Sequence, residues 1–75
     1  MDISSLKVGQ RARVVHLHAS QPAEQRLMAL GLMPGVIVRL ARVAPLGDPI
    51  AIEFRGQCVS MRKREAGVVE VEPLG

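Results

Sequence analysis

His16-Leu17-His18 places two imidazoles one residue apart. On an extended chain, side chains at i and i+2 emerge on one face, so this spacing suits a shared Zn²⁺, Ni²⁺ or Fe²⁺. Two ligands leave such a site incomplete, and a carboxylate, Cys58 or the same pair from a second molecule would have to finish it. Cys58 is the only cysteine, which rules out an internal disulfide and a CxxC knuckle. It reads as a small residue at a strand end rather than a redox sensor. Gly47-Asp48-Pro49 resembles a ligand loop, but an Asp in a turn ordinarily bonds local backbone amides. Arg62-Lys63-Arg64, the only basic run, reads as a solvated turn after a strand. Neither a GxxxxGK[ST] loop nor GxGxxG occurs, so no nucleotide site is expected.

These residues need elements to position them. Ala12 and Val14 alternate to one side of an extended segment from Arg11 to His18, and Leu17 falls out of phase. A β-bulge near Val15-His16 would return Leu17 to the inward face and turn both histidines outward. Lys7-Val8-Gly9-Gln10 reads as an entry turn, with Leu6 as a plug. From Ser20 to Leu30 the period becomes helical through Ala23, Leu27 and Leu30, with Ser20 as N-cap, Pro22 in the first turn and Gly31 as terminator. Pro34-Gly35 suits a type II turn.

Val36 to Val43 is the longest predicted strand, with Val38 and Leu40 inward. Ile37, Ala41 and Val43 lie opposite, a face the short helix would cover. Ala44 to Pro49 is a breaker-rich turn. Ile50, Ile52 and Phe54 alternate inward, Gly56-Gln57 closes a hairpin, Val59 and Met61 continue inward, and Val69 and Val71 follow a turn at Glu65-Ala66-Gly67. Five short strands with one helix hide their edges by closing into a small barrel filled by side chains. The whole chain, residues 1–75, reads as one all-β domain with one short helix.

The chain has 75 residues and 48% hydrophobic residues, too many for a disordered tail. Ten Lys and Arg against seven Asp and Glu give a net charge of +3, scattered rather than gathered in a nucleic-acid stripe. No stretch approaches the ~20 apolar residues that span a bilayer, and no signal peptide is evident. A cytoplasmic protein without direct membrane insertion is expected.

Several stretches together resemble the FeoA family. They are Arg26-Leu27-Met28-Ala29-Leu30-Gly31-Leu32-Met33-Pro34-Gly35, then Ala44-Pro45-Leu46-Gly47-Asp48-Pro49-Ile50, then Arg62 with Glu65-Ala66. Leu6, Gly9, Ala12 and Val14 also fit, so the resemblance covers nearly the whole chain. It implies an SH3-like barrel acting in bacterial ferrous iron uptake with FeoB, a membrane transporter with a cytosolic GTP-binding domain. A related barrel ends iron-dependent repressors, a context not expected at a length of 75 residues.

Met28 points about 100° around the helix from Leu27, and Leu32, Met33 and Leu46 lie in or beside turns, which tend to be exposed. With Arg26 and Arg42 as a rim, these residues suit a protein contact, and the resemblance makes FeoB its partner. No cofactor is required, Zn²⁺ or another divalent metal at His16 and His18 being adventitious. An apolar outer face around Ile37 and Val43 leaves room for a homodimer.

An enzyme would need a nucleophile, a base and an orienting group converging in a cleft, and no such set is placed here. A proline-rich-peptide reader needs an aromatic groove, and Phe54 is the only aromatic residue. The strongest rival is RNA bound through phosphate contacts by Arg11, Arg13, Arg39 and Arg55, which would be steeply salt-dependent. Nucleic acid is nonetheless not the expected partner, because base stacking lacks aromatic side chains.

Overall fold

The computed structural model describes residues 1–18 and 20–74, leaving aside the Ala23 side chain. Strands β1 (Arg11–Leu17), β2 (Ile37–Val43), β3 (Ile50–Phe54), β4 (Gln57–Met61) and β5 (Val69–Pro73) form one antiparallel sheet. Their order is β4-β3-β2-β1-β5. Ala12, Val14, Val38, Leu40, Ile50, Ile52, Phe54, Met61, Val69 and Val71 fill the interior of the curled sheet, as their period-two spacing requires.

In β1 the register against β5 slips between Val14 and His16. Leu17 therefore packs against the core, and the expected bulge is present. A second bulge, in β2 between Leu40 and Arg42, has no counterpart in the sequence reading. It changes the outer face, because simple alternation would group Val43 with Ile37 and Ala41. The extra residue instead sets Arg42 opposite Ala51 and Val43 opposite Ile50, as bulges re-aim the residues beyond them, and Val43, at the strand end, stays exposed at the rim.

Helix α1 (Pro22–Ala29) does not cover β2. Its Leu30 carbonyl accepts the Gln57 Nε2–H at 2.9 Å, and Arg26 Nη2 lies 3.5 Å from Glu65 Oε2, tying it to the β4 side. The outer side chains of Ile37 and Ala41 stay partly exposed, in keeping with Arg39 between them. The N-cap is Gln21 rather than Ser20, because the Glu24 carboxylate accepts both the Ser20 and Gln21 N–H groups at 3.1 Å. At the other end Gly31 adopts φ 102°, a conformation costly for any residue with a Cβ. Gly31 N–H donates to Met28 O and Leu32 N–H to Leu27 O, which is a Schellman motif. Pro34 and Gly35 (φ 95°) then make the type II turn, closed by Val36 N–H to Met33 O at 3.1 Å.

The β3–β4 turn is Arg55-Gly56, both at positive φ. It lies one residue earlier than expected and leaves Gln57 to begin β4. Where a plain turn was expected after β4, residues Lys63–Ala66 form a second helix, α2. Glu65 accepts the Arg62 N–H at 2.8 Å, and Ala66 is fully buried.

Residues Ile3–Ser5 form a 3-10 turn. Asp2 caps it by accepting the Ser4 N–H and hydroxyl, and Ile3 has no exposed surface. Met1 O accepts the Val71 N–H at 2.8 Å and Asp2 bridges Glu70, so the chain start covers the outer edge of β5. The end strands β4 and β5 do not pair with each other. Helices and the N-terminal turn, not strand pairing, complete the closure, which protects the sheet edges in another way.

Candidate functional site

The β1 bulge brings His16 and His18 side by side, with ring centroids 4.1 Å apart. His16 sits opposite Glu70 on β5, and His18 Nε2 is 3.0 Å from Glu70 Oε1. A carboxylate is thus beside the imidazoles, which the sequence reading did not place. Among the described residues no three His, Cys, Asp or Glu side chains are arranged to hold a metal. Cys58 lies on β4, separated from β1 by β3 and β2, and does not complete the set.

The bonded His18 ring holds the Glu70 carboxyl below its ordinary value. Slight desolvation works against this, and the charges of His18, His16 and the chain N-terminus add to it. A carboxyl depressed in the folded state contributes stability above its unfolded pKa and loses it as pH falls through the folded one. For so exposed a pair the contribution is small. His18→Ala is expected to raise the Glu70 titration midpoint, read by carboxyl NMR, and to leave the neutral-pH melting temperature within about 2 °C.

The residues expected to form one protein contact are divided by the structure. Leu32 is 0% exposed and belongs to the core, because the Schellman motif folds it back onto the helix, so it leaves the surface set. Met28 and Met33 are exposed near the C-terminal end of α1. Arg26, also exposed, faces Glu65. Arg42 and Leu46 lie at the far end of β2, whose seven residues span about 20 Å. Two clusters result. Leu46 is 97% exposed, the most exposed of the large apolar side chains.

The loop that carries Leu46 is braced. Ala44 N–H donates to Pro49 O at 3.0 Å and Gly47 N–H to Ala44 O at 2.7 Å. Asp48 bonds no local amide. Its Oδ1 accepts the N–H of Lys63, at the start of α2, at 3.0 Å, because the chain passes the β4 end there. Glu65 is the one buried charged residue among those described, and it joins α2 to Arg26. Its position three residues after the cap residue Arg62 was the sequence signal for this role.

Two of the four arginines considered for phosphate contact are paired across strands. Arg13 lies 3.2 Å from Glu72 and Arg39 2.6 Å from Glu53. Phe54, the only Phe, Tyr or Trp, is 3% exposed, so it offers no stacking platform to a base. The concavities are open grooves on the surface. One of ≈ 400 Å³ is lined by Ile37, Arg39, Glu53, Arg55 and Cys58. No described helix is long and apolar enough to cross a membrane.

Fold and surface together define a small SH3-like β-domain whose chemistry lies on loops and strand faces. Residues 1–73 match the FeoA domain model, and the chain belongs to the FeoA family. A putative Fe(2+) transport protein A of Campylobacter jejuni is 30% identical over 95% of this chain and 96% of its own length. An Fe(2+) transport protein A/Fe(2+) transporter FeoB fusion protein of Porphyromonas gingivalis is 29% identical over 96% of this chain, which spans only 8% of that protein. Iron(II) transport protein A of Clostridium thermocellum superposes with a TM-score of 0.91 at 38% identity, over 99% of this chain and 46% of that one. FeoA of Stenotrophomonas maltophilia, solved with zinc, superposes with a TM-score of 0.85 at 29% identity, over 96% and 89%.

Proposed function

We propose that this chain is a cytoplasmic, non-enzymatic accessory of bacterial ferrous iron uptake that binds FeoB and modulates it. The observation that carries this reading is the Porphyromonas gingivalis relative, in which an FeoA sequence and FeoB share one polypeptide. Fusion holds the two at high effective concentration, so a fused pair needs only a modest interface, whereas a separate FeoA chain must supply that affinity through its own surface. Exposed apolar side chains stand at two separate places, Met28 and Met33 at the end of α1 and Leu46 on the 44–49 loop, and either place offers an apolar anchor for such an interface.

Calorimetric titration of this protein into the soluble GTP-binding domain of its own FeoB, with and without nucleotide, tests the reading. Saturable heat that survives moderate salt is the expected result. No saturable binding in any nucleotide state, to this domain or to the whole transporter, would overturn it. RNA binding that collapses as salt rises would replace it with the phosphate-contact reading.

A further inference from the structure

The outer face of the β2–β3–β4 ladder carries two rows of side chains that differ in charge balance. Nearer the Arg55-Gly56 turn the row is Arg39, Glu53 and Cys58, and its Arg and Glu neutralise each other at 2.6 Å. Nearer the 44–49 loop the row is Arg42, Ala51 and Ser60, with no acid in it. The β2 bulge makes this second row by bringing Arg42 opposite Ala51. Because Ala51 has only a methyl group, the row sinks into a groove of ≈ 300 Å³ walled by Val43, Pro45 and Pro49, with Arg42 and Ser60 along it.

The cations around this groove outnumber the acids. Arg62 follows Ser60 by two residues of extended chain and emerges on the same side. Lys63 Nζ comes within 3.7 Å of where a Gly47 Cβ would stand. Among the described residues, none of Arg42, Arg62 and Lys63 is in an ion pair. The one carboxylate in the loop, Asp48, accepts the Lys63 amide and keeps its charge, which leaves three cations against one acid. Leu46 stands beside them, 97% exposed, on a loop fixed by two internal hydrogen bonds, two prolines and Asp48. A fixed apolar knob loses little conformational freedom on burial, which is what an interface anchor needs.

Resting on the FeoB reading above, we infer that the Leu46 loop is the centre of the contact, and that the surface it meets is an apolar pocket rimmed by carboxylates. Leu46 enters that pocket, an apolar side chain of the partner occupies the groove over Ala51, and Arg42, Arg62 and Lys63 face the rim. The Met28 and Met33 end of α1 lies outside the contact. An acidic rim is the complement that relieves the mutual repulsion of these cations and steers encounter.

The test is interferometry of the full chain against whole FeoB in phosphatidylcholine nanodiscs, with empty discs of phosphatidylcholine and of anionic phosphatidylglycerol alongside. Leu46→Asp is expected to weaken binding to FeoB discs about 30-fold or more, and Leu46→Ser nearly as much. Arg42→Glu with Arg62→Glu is expected to weaken it about 10–100-fold and flatten its salt dependence. Met28→Asp with Met33→Asp should stay within about threefold. All these side chains are exposed, so unchanged melting temperatures separate lost contact from lost fold. Binding that ignores the Leu46 and arginine variants but fails with the methionine pair would overturn this inference and leave the FeoB reading standing. Equal, Leu46-dependent binding to empty phosphatidylglycerol discs would overturn it in favour of a lipid surface. No binding to any disc would overturn both readings.

Discussion

Ile3→Asp is expected to abolish the cooperative thermal transition and collapse the amide NMR dispersion, although it alters only the third residue. Ile3 is 0% exposed and belongs to the same cluster as Val14, Ile52 and Val69. A carboxylate placed there has no partner, and its desolvation costs several kcal/mol or forces a neutral, still polar acid into the core. Native domains hold about 0.05–0.15 kcal/mol per residue, so a chain this short has little stability in reserve. The substitution also displaces what Ile3 anchors: the Asp2-capped turn and the Met1 carbonyl that accepts the Val71 N–H. Ile3→Val is the matched control, removing one methylene for about 0.5–1.5 kcal/mol while keeping the fold. An Ile3→Asp protein that melted within a few degrees of the parent would show the N-terminal turn to be dispensable.

Ile3 was not legible beforehand because nothing periodic surrounds it; the only local signal was Asp2 followed by Ser4, an Asx-type turn enclosing one apolar residue. The two bulges show the same limit. The one in β1 could be read because Leu17 breaks the alternation set by Ala12 and Val14. The one in β2 could not, because its extra residue, Ala41, is small and apolar and fits either face. Missing it misplaced Val43 and hid the row of Arg42, Ala51 and Ser60, which is half of the surface that matters. α2 was hidden by its length of four residues, too short to show a period. Alternation and turn residues did locate all five strands and α1, since both act locally. What they could not supply is neighbours distant in sequence, such as Glu70 beside His18, Glu65 beside Arg26 or Lys63 beside Asp48.

Leu32 is a more instructive case, since the rule that turn residues are exposed gave the wrong side for it. The Schellman motif that ends α1 sends the residue after Gly31 back toward the residue three before the cap, an apolar pairing that commonly accompanies this cap. Here those residues are Leu32 and Leu27, both 0% exposed. Leu27→Ala is therefore expected to cost about 2–5 kcal/mol, which for a domain of this size lowers the melting temperature by roughly 10–30 °C. Leu32→Ala should fall in the same range. Because the two share one packing site, the double variant should cost less than the sum of the singles, by about 0.5–3 kcal/mol in a thermal or denaturant cycle. The transition should remain cooperative. An eight-residue helix is far too short to persist undocked in water, so α1 can only pack or melt, and its loss uncovers the core beside β4. If Leu27→Ala instead released α1 alone, hydrogen exchange would rise over residues 22–29 while the strands kept their protection and melting point. That outcome would make α1 a detachable cover over a self-sufficient sheet.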